Sequence, residues 1–275
     1  RERDYAYVGS FYAFAIWIGI GFMYVYELFR KILGRKISYG AALLILLAAC
    51  PMLMAVQNWD DHDRSGRYTA RDIGANYLES CAPNAVLFTY GDNDSFPVWY
   101  VQDVEQVRPD VRVANLSYIQ AGWYIEMMKL KAFESDPMPL TLGNDKYMDG
   151  IRTQLPVYKR IETPVNIGEI VQFAGMDDRN YMIDYSGQGD FLNYLPANKF
   201  IIDVDTSLVL ENGTVKKYFR DRMMSPVIWE FTDEDAFKGD LAIMDLLSTN
   251  KWKRPVYFST TVPAHQYKGL DKYFV

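Results

Sequence analysis

The sequence has 275 residues, 49% of them hydrophobic and 15% aromatic, with a formal net charge of -6. That length suits one large or two modest domains with side chains enough for a core. Mild acidity without a basic patch excludes nucleic acid as a partner, because a phosphate backbone needs clustered Lys and Arg. The two cysteines, Cys50 in an apolar run and Cys81 in polar surroundings, make no disulfide framework. The chain opens at Arg1 without a methionine and stops at Val275 directly after GLDKYF, which reads as part of something longer.

The first elements are two apolar spans. Tyr5 to Phe29 carries no charge before Glu27, and Ile37 to Val56 carries none at all. Each is long enough for a helix to cross about 30 Å of hydrocarbon at roughly 1.5 Å per residue. The competing reading is a buried helical hairpin of a soluble protein. Aromatic placement favours the membrane: Tyr5, Tyr7 and Tyr12 lie near one end of the first span, Tyr24 and Tyr26 near the other, and Trp59 follows the second. The connector RKILGRK holds Arg30, Lys31, Arg35 and Lys36 and no acid, so it is expected in the cytoplasm, with everything from about Gln57 onward outside it. Glu27 stands one turn from Arg30, which predicts an interfacial ion pair rather than an intramembrane functional acid.

Beyond Val56 a polar linker, QNWDDHDRSG, leads into a helix, TARDIGANYLESC, that stops at Pro83-Asn84. AVLFTY (Ala85–Tyr90) reads as a short strand. GDND follows, and then SFPVWYVQDVEQV with Val98, Val101, Val104 and Val107 along one helical stripe, Ser95 as cap and Pro97 in the first turn. VRVANLSYI (Val111–Ile119) reads as the next strand, which makes a βαβ unit with a right-handed crossover. Ala121–Phe133 reads as a helix, Glu134 to Lys199 as irregular with short strands. Phe200–Phe219 reads as a β-hairpin turning at Asn212-Gly213, Thr232 to Ser248 as a helix, and Pro255–Thr261 as a strand. The expected organisation is two transmembrane α-helices in a hairpin (1–56), a linker and helix (57–84), and an extracytoplasmic α/β domain with a Rossmann-like βαβ unit and a β-hairpin (85–275).

In open α/β sheets ligands collect where strands end and helices begin, which is where Asp92, Asn93 and Asp94 stand. The acids of GDND have three readings. They close a turn and cap the helix, where carboxylates are favourable by about 0.3–1 kcal/mol. They supply oxygen ligands to a ligand or hard cation. Or they form a nucleotide-sugar site, which the extracytoplasmic placement disfavours. Capping leads. Trp99 and Tyr100, with Trp123 and Tyr124, are candidates to stack on sugar rings, against a core role at the same helical spacing. His62 in DDHDR and His265 in VPAHQY have no partner fixed by sequence, Asp177-Asp178 reads as a solvated turn, and no nucleophile signature such as GxSxG occurs. Asp92, Asn93, Asp94, Trp99 and Tyr100 are therefore the candidate ligand-binding residues. No catalytic residue, metal set or cofactor is assigned.

Several segments together resemble one family. RERDYAYVGSFYAFAIWIGIG, NAVLFTYGDNDSFPVWYVQDVEQVRPDVRVANLSYI and NKWKRPVYFSTTV with GLDKYF are similar to the bacterial multi-pass membrane proteins classed as glycosyltransferase family 117, which are related to the protein O-mannosyltransferases of the GT-C superfamily. The resemblance implies an integral protein of the bacterial inner membrane with its soluble domain in the periplasm. It implies a polyprenyl-phosphate sugar donor, mannose-like, an acceptor protein modified on Ser or Thr, and a catalytic acid in an early loop that no segment here matches. The expectation is the C-terminal part of such a transferase. The rival is a membrane-anchored binding or sensor module without catalysis.

Overall fold

A computed structural model of the chain describes residues 4–274, and of Asp4, Asp61 and His62 the backbone alone. The chain divides into two units, residues 1–67 and 68–275.

In the first unit a 3-10 turn, Asp4–Tyr7, leads into α1 (Val8–Leu33). Gly34, at φ 73, reverses the chain into α2 (Arg35–Leu47), and the Ser38 hydroxyl donates to the Gly34 carbonyl at 2.6 Å. The left-handed backbone of this turn is the conformation glycine adopts at no steric cost. A π-helical turn, Ala48–Met52, then continues the helix into α3 (Leu53–His62). Pro51 sits inside that turn. Proline has no N–H and its ring crowds the carbonyl four residues back, so a widened turn accommodates it. The stretches Tyr5–Leu33 and Arg35–Asp60 are long and apolar enough to cross a membrane, with mean hydropathy 1.7 and 2.2. Only 0% and 6% of their apolar windows are buried by protein, which argues against a soluble core hairpin. Phe22 meets Tyr39 edge-on at 5.5 Å between α1 and α2, and Arg30 pairs with Glu27 at 3.1 Å as expected.

The second unit begins with α4 (Thr69–Glu79), β1 (Val86–Thr89), α5 (Asp92–Asp103), β2 (Arg112–Asn115) and α6 (Gly122–Met128). β3 (Gln154–Pro156), β4 (Val165–Asn166), α7 (Ile167–Ala174), β5 (Ile183–Asp184), β6 (Phe191–Leu192) and β7 (Lys199–Ile202) follow. The unit closes with α8 (Thr206–Glu211), β8 (Val227–Glu230), β9 (Asp235–Phe237), α9 (Lys238–Asn250) and β10 (Val256–Phe258). The βαβ unit forms as expected. β1 lies between β10 and β2, parallel to both, with Val86 opposite Val256 and Arg112. A second sheet has the order β4-β7-β8, and β3/β9 and β5/β6 are antiparallel pairs.

The central position of β1 explains its unbroken apolar run. Val86 and Phe88 face a large core that includes Ile119, Leu155, Phe200, Trp229 and Leu246. Leu87 faces a smaller one of Leu78, Val98, Val101 and Val113, where α4 and α5 cover the sheet. A strand covered on both faces needs no polar alternation. α4 and α5 approach so closely at Gly74 that a Cβ there would stand 2.6 Å from the Pro97 carbonyl oxygen.

Several elements depart from the sequence reading. The hairpin expected at 200–219 is not there. β7 pairs instead with β4 in parallel and β8 antiparallel, and the chain after it turns helical. The Asp205 side chain accepts from the Ser207 and Leu208 backbone N–H groups, which caps α8, so Asn212 and Gly213 end a helix. Gly213 does take the positive φ, at 80, but as a helix stop. The helix expected from Thr232 starts at Lys238, because Asp235–Phe237 pairs with β3 and Asp240 is the acid that caps, accepting from Phe237 N–H at 2.8 Å. The strand expected to run to Ile119 ends at Asn115, whose Oδ1 accepts from Ser117 and Tyr118 N–H and bends the chain into a turn. The helix expected through Phe133 ends at Met128, and Ala132 and Ser135 fold back on each other by paired backbone hydrogen bonds.

Candidate functional site

The carboxyl ends of β10, β1 and β2 converge on the first turn of α5. Gly91, at φ 82, turns the chain there, and the helix begins at Asp92 rather than at Ser95. Asp94 is 1% exposed. Its Oδ2 accepts from Tyr90 N–H at 2.8 Å, from Ser259 Oγ at 2.7 Å and from Thr261 Oγ1 at 2.5 Å, while its Oδ1 has no protein partner. Ser95, expected as a cap, is buried and bonds Thr89 Oγ1 at 2.7 Å. Asn115 Nδ2 donates to Ser95 Oγ at 2.7 Å and to the Gly91 carbonyl at 3.2 Å. Each strand of the sheet thus holds the loop through one polar residue at its end.

GDND does not act as one unit. Asp94 is buried as a tie between β1 and the segment after β10, whereas Asp92 and Asn93 are exposed in the first turn of α5. There an acid is stabilised by the helix dipole. Among the described residues no three His, Cys, Asp or Glu side chains come together as a metal-holding group.

The aromatic candidates fare differently. Trp99 stacks on Tyr118 at 6.1 Å and tilts against Phe96 at 5.7 Å. Tyr118 meets Trp123 at 6.4 Å and Tyr124 at 5.7 Å. Trp99, Tyr118, Trp123 and Tyr124 wall a groove of about 500 Å³ between α5 and α6, whereas Phe96 and the half-exposed Tyr100 stand outside the lining. The groove also holds Arg112, Lys131 and Asp103. Arg112, which the sequence reading passed over inside its strand, is 4% exposed. Its Nη2 donates to the Met127 carbonyl at 2.7 Å, while Nε and Nη1 have no partner. Burial pulls its pKa down and pushes that of Asp103 up. The signal available in sequence was a lone arginine in a run otherwise fit for burial on both faces.

The remaining candidates are peripheral. Asp177 pairs with Lys146 and with Arg152 at 2.7 Å, hydrogen bonds that hold its carboxyl below the usual range. Asp178 caps a 3-10 turn through Asn180 N–H. His265 is exposed in the turn Ala264–Tyr267, and the His62 side chain lies outside the described residues. A second hollow, about 600 Å³, is lined mainly by apolar side chains including Val209, Phe219, Trp252 and Phe274.

Residues 70–275 match the family described as TMEM260-associated domain 2. No match was found among curated proteins or among solved structures. The match spans most of the chain and nearly the whole of its α/β unit, so this chain belongs to the TMEM260-associated domain 2 family.

Proposed function

We propose that this chain is the C-terminal part of an integral membrane glycosyltransferase. It moves a sugar, mannose-like, from a polyprenyl-phosphate donor to Ser or Thr of an acceptor protein, on the periplasmic side of a bacterial inner membrane. The observation that carries the reading is the order of parts. Two helices able to cross a membrane are joined by a purely basic connector and followed by an α/β domain that carries an aromatic-walled groove. In the transfer, a hydroxyl oxygen of the acceptor attacks the anomeric carbon, the bond from that carbon to phosphate breaks, and a carboxylate takes the hydroxyl proton. Asp94 does not suit that base, being buried with three donors on one oxygen. The base is assigned to another part of the whole protein, and this domain to holding substrate.

The test is transfer by the whole protein in membranes, from a labelled polyprenyl-phosphate sugar to an acceptor protein. Wild type is expected to transfer, and Asp92→Ala to keep its rate. Asp92 is exposed in the first turn of α5, and its interaction with the helix dipole, under about 1 kcal/mol, bears on stability rather than on the reaction. No transfer by folded wild type overturns the proposal and favours the binding or sensor module. Orientation is tested by cysteine labelling from outside the cell, with Cys50 and Cys81 first replaced by Ala. A cysteine in place of Ser65 should react and one in place of Lys36 should not. Reaction at Lys36→Cys would reverse the membrane orientation.

A further inference from the structure

The domain buries several charges, and most are answered. Arg254 donates to the Asn84 and Asp136 carbonyls and to Ser135 Oγ. Arg152 donates to the Ala174 carbonyl and to Asp177, and Lys238 to the Met148 carbonyl. Among the described residues the buried side-chain polar atoms without a partner are Asp94 Oδ1 and two nitrogens of Arg112. The Asp94 carboxylate is already held by three donors, so its second oxygen is a minor vacancy. Arg112 is different: a cation withdrawn from water, with one hydrogen bond and no carboxylate bonded to it.

The surroundings sharpen the contrast. In a chain of net charge -6, this groove holds two cations, Arg112 and Lys131, against the single acid Asp103. Arg254 adds to the positive field: it lies close enough to Arg112 for the two charges to act on each other, and it bonds Ser135, which lines the groove. The rings of Trp99, Tyr118 and Trp123 line the same groove, and Trp123 is 54% exposed, so its surface is open to a ligand. Unneutralised positive charge in a low-dielectric wall attracts an anion strongly, and an aromatic wall rewards a ring laid against it.

We propose that the groove between α5 and α6 binds a ring-bearing anion, a sugar carrying a phosphate or a carboxylate, with the anionic group answering the charge of Arg112 and the ring resting on Trp99, Tyr118 and Trp123. Neither half of the ligand suffices. A neutral sugar leaves the cation unanswered, and a free phosphate leaves the aromatic wall bare. That the ring is a sugar rests on the transferase reading; the need for an anion joined to a ring does not.

The test uses the whole chain in detergent, with tryptophan emission and calorimetry as readouts. Mannose 6-phosphate and glucuronate are expected to bind saturably, and mannose and inorganic phosphate at least tenfold more weakly. Trp123→Ala, which removes a half-exposed ring, should weaken binding of both anions at least tenfold in a chain that still unfolds cooperatively. Arg112→Met should erase the preference for mannose 6-phosphate over mannose. Should Arg112→Met fail to fold, Lys131→Ala, a change in the groove wall, should narrow that preference at least threefold. No saturable binding of either sugar anion by folded wild type, or binding indifferent to Trp123→Ala, overturns the proposal. Equal binding of inorganic phosphate overturns it as well. Binding without sugar transfer in the membrane assay would defeat the transferase reading and leave the groove standing; transfer without binding would do the reverse.

Discussion

Asp245→Ala is expected to lower the stability of the α/β unit by about 2–4 kcal/mol, the size expected when several hydrogen bonds to one buried carboxylate are lost together. Asp245 lies on α9 with no exposed surface. Its two oxygens accept from Thr141 N–H at 3.0 and 2.9 Å, Thr141 Oγ1 at 2.6 Å, Leu142 N–H at 3.1 Å, Tyr147 OH at 3.0 Å and Thr249 Oγ1 at 3.3 Å. Alanine would strand the Tyr147 hydroxyl in the core, where an unsatisfied group costs about 1–3 kcal/mol, and would release Thr141, Leu142 and Thr249, which lie nearer the surface. The Tyr147 hydroxyl is the clearest case: burial and then the neighbouring carboxylate drive its pKa far up, so it must donate and has nowhere else to do so. Asp245→Asn keeps the shape but replaces one acceptor oxygen with an N–H₂ facing other donors, and should fall between alanine and wild type. Urea unfolding of the chain in detergent measures both. A loss below about 1 kcal/mol for the alanine variant would show that the loop at 141–147 is held by something else.

Arg254→Met is expected to cost about as much, roughly 2–4 kcal/mol, because it removes several hydrogen bonds from a charged donor, although a methionine fills much of the same space. Arg254 precedes β10 and is 5% exposed. It donates to the Asn84 carbonyl at 2.7 Å, the Asp136 carbonyl at 2.9 Å and Ser135 Oγ at 2.9 Å, with longer bonds to the Ala85 and Pro137 carbonyls. One side chain thus joins the entry of β1 to the loop after α6. Burial first, and the nearby Arg112 second, push its pKa down to about 10, so it stays charged at neutral pH while forming these bonds. Arg112→Met offers the control. Arg112 is equally buried but has a single acceptor, so its replacement should cost about 1 kcal/mol or less, the net worth of one hydrogen bond. Similar losses for the two variants would mean that packing, not hydrogen bonding, decides both sites.

What the sequence made legible was whatever its neighbours in the chain decide. The two spans follow from unbroken hydropathy, the Glu27–Arg30 pair from helical spacing, and β1-α5-β2 from an apolar run, a glycine turn and a valine stripe. α7 was legible and missed: Asn166 accepts from Gly168 N–H as its cap, Glu169 sits in the first turn, and Ile167, Ile170, Val171 and Ala174 are buried at helical spacing. The signal was short and stood among proline and glycine breaks. At 200–219 a real turn signal was assigned to the wrong structure, because Asn-Gly stops a helix as readily as it turns a hairpin. The Asp205 cap that decided between them works over three residues, but the pairing of β7 with β8 spans the distance from Lys199 to Glu230.

The site shows the same division. The sequence alone determined that acids and aromatics stand at the end of β1 and that a helix begins among them, because turn chemistry and apolar periodicity act over a few residues. Only the tertiary structure decided which of those groups are buried, which share a groove, and which charge lacks a partner. Asp94 meets Ser259 across 165 residues, and Thr141 meets Asp245 across 104. Burial and hydrogen bonding at such separations depend on how the chain folds back on itself, and no local pattern carries that information.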